Sequence, residues 1–571
     1  MILGYAEHSQ HIRMDRPHGM LENFDPKTIQ DLDGAQQAIL KLLNLVEELA
    51  SDNRGLREEN QRLRDENNRL KGEQGKPQIK PNRAASPSAS QNHSSERERY
   101  KPQAWTKRSK VDRIKINREE VVQMDRAVLP ADAEFKGYDE VIVQDIALKT
   151  DNVLFRKEKF YSKTTCETYT AQLPQGYTGQ FGPGLKALTI VLYHGANMSE
   201  PKVSEFLEYV GVLISPGEIS NLLTKDHDDF HAEKDAVYAA GVRSSRFQHL
   251  DETETRVKGV NEHCHTICNP LYTAYVTTEK KDRLSALKAL LNGRDLTFRL
   301  NAEAYTWLEP VGLSQPILVA LHQLPQDQVF SQLEFNQLMD VRLSAIGSQH
   351  HRRILEAAAV AAYHAQQDFP VIELLLCDDA DQFKRLTKQL ALCWVHDGRH
   401  YKKLNPLVPH HRELLENFQG RYWNYYDNLL TYKQAPTPEA AAHLSEQFNE
   451  LFLTVTGYAA LDDRIAKTRA KKDALLMALQ HPELPLHNNP AELAARRRVR
   501  KRDVSFGPRT EAGKKAWDTF QSLAETTKKL GVSFYQYIFD RVSKANQVPP
   551  LADVIAERAK PLRLSASWDA P

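Results

Sequence analysis

A chain of 571 residues is longer than one ordinary domain and implies several. Lys+Arg number 76 against 75 Asp+Glu, so overall charge identifies no polyanionic partner, and any nucleic-acid contact must come from local clusters. Five cysteines argue against a disulfide framework. No run approaches the roughly 18 apolar residues of a membrane span, and the N-terminus lacks the apolar core of a secretory signal, so a cytoplasmic chain with no membrane partner is expected.

Residues 1–30 carry no pattern and stay unassigned. Over 31–71, Ala35, Leu42, Leu49, Leu56, Leu63 and Leu70 recur every seventh position, and Ile39, Val46, Asn53, Asn60 and Asn67 form the companion stripe. Leu at d with buried Asn at a predicts a two-stranded coiled coil, hence a homodimer or higher assembly. The competing reading is a single solvated helix lying on another domain. Residues 72–104 are rich in Pro, Ser, Gln and Asn and read as a linker. A basic stretch begins in the linker with Arg97, Arg99 and Lys101 and continues beyond it through Lys107, Arg108, Lys110, Arg113, Lys115 and Arg118, with Tyr100 and Trp105 among them. It suits phosphates or forms a solvated arm.

Residues 105–183 read as this arm and a β-rich domain, with short strands at Val141–Val143 and Leu154-Phe155 and a turn-rich stretch from Gly176 to Gly184. From Leu185 the period turns helical. A second helix runs from Ser199 to Val210, Gly211 breaks it, and Ser215-Pro216-Gly217-Glu218 opens a third with Ser at the N-cap. Region 184–243 therefore resembles a helix-turn-helix. Phe247 to Val257, His263 to Cys268 and Leu271 to Thr277 read as strands, Arg283 to Leu291 as a helix, and Val371 to Cys377 as a strand buried on both faces. Residues 396–480 are helical, and Glu511 to Leu530 forms a further helix. His263, Cys264, His265 and Cys268 hold zinc-type ligands, but alternation along a strand points them to opposite faces.

Three acidic positions stand out by placement: Asp251 within a strand, Asp378 at the end of the apolar strand, and Glu492 in the first turn of a helix after His487-Asn488-Asn489-Pro490. Converging carboxylates repel and require a cation; a few hard oxygen donors suit Mg²⁺ or Mn²⁺. Two such ions roughly 4 Å apart activate an attacking oxygen and stabilise a leaving one. Each position also has a plain structural reading: a strand residue, a solvated turn with Asp379 and Asp381, and a capped helix start with Asn489 at N-cap, Pro490 at N1 and Glu492 at N3.

The ordered motifs His249-Leu250-Asp251-Glu252-Thr253, Leu376-Cys377-Asp378 with Phe383, Cys393-Trp394-Val395-His396 with Arg399-His400-Tyr401, and Leu486-His487-Asn488-Asn489 with Glu492 and Arg496 resemble the insertion-sequence 66 family of bacterial transposases. Ile214 to Asn221 and Tyr535 to Ile538 extend the resemblance over roughly 184–540. The resemblance implies a DDE transposase with catalytic, metal-holding Asp251, Asp378 and Glu492, and with His396, Arg399, Asn488 and Asn489 as motif-supporting residues. It implies a mixed α+β architecture, a ribonuclease-H-like catalytic domain over 244–545 with a helical insertion, and a tail over 546–571. It also implies an N-terminal leucine zipper, Mg²⁺, DNA as transposon ends and target, nucleoid association, and small accessory transposition proteins. The reaction it implies is phosphodiester hydrolysis at the transposon end, then attack of the freed 3′ hydroxyl on target DNA.

The sequence departs from the family where a cysteine-rich zinc ribbon is usual. Residues 119–180 contain only Cys166, which cannot make a four-ligand zinc site. Asp379 stands where Gly is usual and Leu493 where Arg is usual. Arg496, Arg497, Arg500 and Lys501, with Arg498 and Arg502, come after Glu492 on one helix and are expected to meet DNA phosphates; Lys467, Arg469, Lys471 and Lys472 lie before it. Asn221 and Lys225 are the candidates for base edges. A catalytically silent DNA-binding derivative and a metal-dependent nuclease on the same fold are the alternatives.

Overall fold

A computed structural model of the protein describes residue 29, 31–70, 114–150 apart from 126–128, 130–132, 134, 137, 147 and 149, then 151–343 and 346–562. The expected N-terminus, the linker, the basic stretch as far as Arg113 and the tail beyond 562 lie outside the described residues.

Helix α1 (Leu32–Leu70) covers the heptad segment as one unbroken helix. Its first half does not wait for a second chain. Asn44 donates to the Gly457 carbonyl at 2.8 Å and accepts from Ala459 N–H at 2.9 Å. Glu47 accepts from Leu407 and Val408 N–H and meets His411. The reading of a helix lying on another domain therefore describes this half, while Leu49, Leu56 and Leu63 remain exposed.

The expected β-rich domain is corrected. Val141, Val143 and Leu154 sit in exposed chain without strand pairing, because an apolar run becomes a strand only when a neighbouring edge accepts its hydrogen bonds. A hairpin of Lys159–Ser162 and Glu167–Thr170 forms instead, with exposed Cys166 at its turn.

Helices α2 (Pro183–Ile190), α3 (Glu200–Tyr209) and α4 (Pro216–Thr224) follow the expected boundaries. The Ser215 hydroxyl caps α4 by accepting from Glu218 N–H, and Gly211 makes the preceding turn at φ +79°. Val203, Leu207, Ile219 and Leu223 bury the inner faces. Helix α5 (Asp228–Arg243) leads into the sheet.

The sheet has strands β1 (Phe247–Val257), β2 (Val260–Cys268), β3 (Thr273–Thr278), β4 (Leu374–Cys377) and β5 (Gln389–Leu392) in the spatial order β3-β2-β1-β4-β5. The β1-β2-β3 meander is antiparallel, and β4 and β5 run parallel to β1. Helices α6 (Arg283–Leu290) and α7 (Ser348–Ala365), with shorter helices over 302–342, fill the long crossover between β3 and β4. After β5, helices α8 (Trp394–Lys402), α9 (Pro409–Tyr432), α10 (Pro438–Phe452) and α11 (Ala459–Arg469) build the expected helical insertion around Phe418, Tyr422, Phe448 and Phe452. Helix α12 (Asn489–Ser505) returns to pack on β1 and β2, and α13 (Glu511–Lys529) packs on β3. No helix among the described residues is long and apolar enough to cross a membrane.

Candidate active site

Period-two alternation places His249 and Asp251 on one face of β1, the sheet's central strand. The neighbouring parallel strand β4 is a run of four buried apolar residues that ends one residue before Asp378, so both carboxylates emerge on adjacent strands. Glu492 arrives from a distant part of the chain, and its placement depends on how α12 is fastened. The fully buried Arg498 donates to Gln521 at 2.6 Å and to Asp518 and Thr277 at 2.8 Å, bolting α12 to α13 and β3. Tyr275 donates to the Ala494 carbonyl at 2.8 Å.

The start of α12 is held by Asn488. Its amide donates to the Leu250 carbonyl at 2.7 Å, and its oxygen meets His249 Nδ1 at 3.0 Å. The Cys393 sulfur accepts from both His396 N–H and Asn488 N–H at 3.3 Å, joining the starts of α8 and α12. The expected cap is therefore corrected: Asn488, not Asn489, occupies the N-cap, and its side chain makes no cap bond because it is committed to β1. Asn489 instead donates its backbone N–H to His487 Nδ1.

A cleft of about 270 Å³ gathers the result; Asp251, Asp378, Glu492, His396, Arg399 and Arg496 are among its lining residues. Burial, with Asp378 and Glu492 nearby, pushes the Asp251 carboxyl up to about 7, against an opposing hydrogen bond from Glu252 N–H. Arg399 grips Glu492 through both oxygens at 3.2 Å, and Arg496 lies 3.8 Å from it. Among the described residues no three His, Cys, Asp or Glu side chains are drawn tightly enough together to hold an ion. The three carboxylates share one cleft, and Arg399 holds Glu492 there.

Other expected residues fall elsewhere. Asp379 turns away to Lys471 at 3.0 Å and Lys384 at 3.2 Å; its carboxyl is half-buried, which opposes ionisation, but the lysines win and hold it below the usual range. Lys471 also pairs with buried Asp397 at 2.7 Å, so it braces the insertion. The expectation that Lys501 meets DNA is corrected. Its ammonium is buried against the Tyr193 ring, donating to the carbonyls of Tyr193 and Met198, and burial pushes it down to about 7. Arg497 pairs with Glu525. Arg496 and Arg500 remain exposed. Asn221 is turned back on Glu218 of its own helix at 3.0 Å, whereas Lys225 is exposed beyond the end of α4. His265 is buried against Thr278 and His263 bonds Glu252, consistent with the strand reading of both.

The sequence around Cys393 and Arg498 gives little sign of these roles. Cys393 sits inside a motif that assigns it no purpose, and Arg498 is indistinguishable in type from its basic neighbours. The usable signal is period: Arg498 lies off the Glu492-Arg496 face, on the side of α12 that meets the sheet.

The family model described as "Transposase IS66 family" matches residues 357–516, a span that includes Asp378, Arg399 and Glu492. The chain is also 32% identical over 322 residues to the uncharacterized protein y4jO of Sinorhizobium fredii, a match covering 56% of this chain and 99% of that protein.

Proposed function

The chain belongs to the IS66 family of transposases, whose substrate is DNA, and from that premise we propose that it cleaves transposon ends and joins them to target DNA at the Asp251–Asp378–Glu492 cleft. The observation that carries the proposal is the meeting of these three carboxylates, from three separate elements, in one cleft where Asp251 is held near 7. A central strand carrying the first carboxylate, a neighbouring parallel strand ending at the second, and a helix on the sheet supplying the third support a ribonuclease-H-like catalytic domain.

The donor set fits Mg²⁺ or Mn²⁺: three hard carboxylates line one cleft, Asp251 raised to about 7 chiefly by burial, and Glu492 free to take an ion once Arg399 releases it. Asp251, Asp378 and Glu492 would hold the ions. When bound, such ions activate the attacking oxygen and stabilise the leaving one. Asn488 fixes the distance between β1 and α12, so the ligands are presented by braced elements. Arg399 and Arg496, at the cleft rim, would take phosphate oxygens of the bound strand. The helix α4 region is the candidate for sequence choice. The exposed leucines of α1 beyond Glu47 are the candidate dimer seam.

The test uses full-length protein and duplexes taken from the DNA flanking its coding sequence. Mg²⁺-dependent nicking at one end sequence, with transfer of the resulting 3′ hydroxyl, is expected. It is lost in Asp251→Asn and Glu492→Gln while gel-shift binding persists. Nicking undiminished in either variant refutes the assignment. Cleavage without joining would mark a nuclease, and binding without cleavage by the wild type a silent DNA-binding protein.

A further inference from the structure

Helix α12 presents a second feature on the face that lines the cleft. Glu492, Arg496 and Val499 all line it, spaced by four and three residues. The same period continues the stripe through Asp503 to Phe506, at the end of the helix. Phe506 is 83% exposed. It also occupies the left-handed region at φ +58°, where a bulky side chain is unfavourable and where Gly or Asn ordinarily ends a helix.

The chain does hold a glycine, but one residue later. Gly507, at φ +90°, has no room for a side chain against the Arg256 carbonyl. Lys258 N–H bonds the Pro508 carbonyl at 2.9 Å and Phe506 N–H bonds the Arg502 carbonyl at 2.7 Å. The backbone of the turn is thus pinned to the β1-β2 loop, and the phenyl stands in solvent. Exposed Arg256 and Arg509 lie beside the pinned turn, and exposed Lys258, which pairs with Glu511 at 3.3 Å, adds a third cation there. An aromatic ring held in solvent among cations has the chemistry of a nucleobase platform, with cations for the backbone and a π-face for a base.

We propose that Phe506 is a stacking wedge for a base of the bound DNA. At 1.5 Å per residue it lies about 21 Å along α12 from Glu492. That is roughly six base pairs from the cleaved phosphodiester for a duplex lying along the helix, at about 3.4 Å each. The proposal deepens the reading of the cleft as a DNA-cleaving site, because it takes the duplex axis from Glu492.

The test is cation-free binding of full-length protein, in EDTA, to end duplexes carrying 2-aminopurine at single positions stepped across roughly four to eight base pairs from the nick. Wild-type protein and Phe506→Trp change the fluorescence at one position. Phe506→Ala leaves every position at the free-duplex value and weakens binding on the order of 10-fold. Phe506→Gly serves as the folding control: it binds as weakly as Phe506→Ala yet unfolds at or above the wild-type temperature, since Gly accepts the left-handed backbone. Undiminished affinity and signal in Phe506→Ala, or loss of signal in Phe506→Trp, overturns the wedge. So does wild-type protein that alters no position. Asp251→Asn is expected to keep the full signal; if it also keeps nicking, the carboxylate assignment falls while the wedge stands.

Discussion

Substituting Asp251 by Asn tests the cleft without any catalytic readout. In the folded, cation-free protein the Asp251 carboxyl is raised from its ordinary 3.8 to about 7, chiefly by burial and then by Asp378 and Glu492. Holding it ionised therefore costs at most about 4 kcal/mol, at 1.36 kcal/mol per tenfold change in proton affinity. The cleft is open to water, which lowers the working figure to about 2 kcal/mol. Because the folded value lies above the unfolded one, the protonated carboxyl stabilises the fold fully below about 4, and that stability is lost as pH rises toward 7. Asn is neutral throughout. Asp251→Asn should therefore match wild type in thermal unfolding near pH 4 and exceed it at pH 8, by roughly 3 °C for a domain of about 300 residues. Added Mg²⁺ at pH 8 should raise the wild-type midpoint and leave the variant unmoved. A variant less stable than wild type at pH 8, or a difference independent of pH, would refute the argument that a buried, uncompensated carboxylate sits there.

Arg399→Ala should strengthen Mn²⁺ binding by the DNA-free protein about 2- to 5-fold, read by the free-ion electron paramagnetic resonance signal, because the partly exposed Arg399–Glu492 pair must open first; unchanged affinity would show that the pair does not compete. Asn488→Ala leaves His249 and the Leu250 carbonyl short of a buried partner and should cost about 2–4 kcal/mol in denaturant unfolding. Arg500→Ala should lower the slope of log affinity against log salt by about 1, whereas Lys501→Met should leave it unchanged, the two together separating exposed from buried cations on one helix.

Local pattern made the elements legible wherever a residue's own neighbours decide its conformation. The three helices around Gly211, the Ser215 cap and the long heptad helix appear as expected, and the strand before Asp378 forms over its last four residues, Leu374–Cys377, with Glu373 exposed. The expectation failed at Val141–Val143 and Leu154-Phe155, where apolar, β-favouring residues lie exposed and unpaired. Strand formation depends on a partner edge that can come from anywhere in the chain, so composition cannot supply it. The α12 cations failed for a related reason: Arg496, Arg498, Arg500 and Lys501 have one sequence character and two fates.

The amino-acid sequence by itself determined the helices and strands that carry Asp251, Asp378 and Glu492 and their order along the chain, because hydrophobic period is a local property; the family resemblance, not spacing, singled these carboxylates out. Only the tertiary structure decided that Asn488 and Cys393 lock β1, α8 and α12 together, that Asp379 and Lys501 are drawn away from the cleft, and that Arg399 closes on Glu492. Those outcomes depend on which polar atoms become buried next to which others, and that is set when segments hundreds of residues apart come into contact.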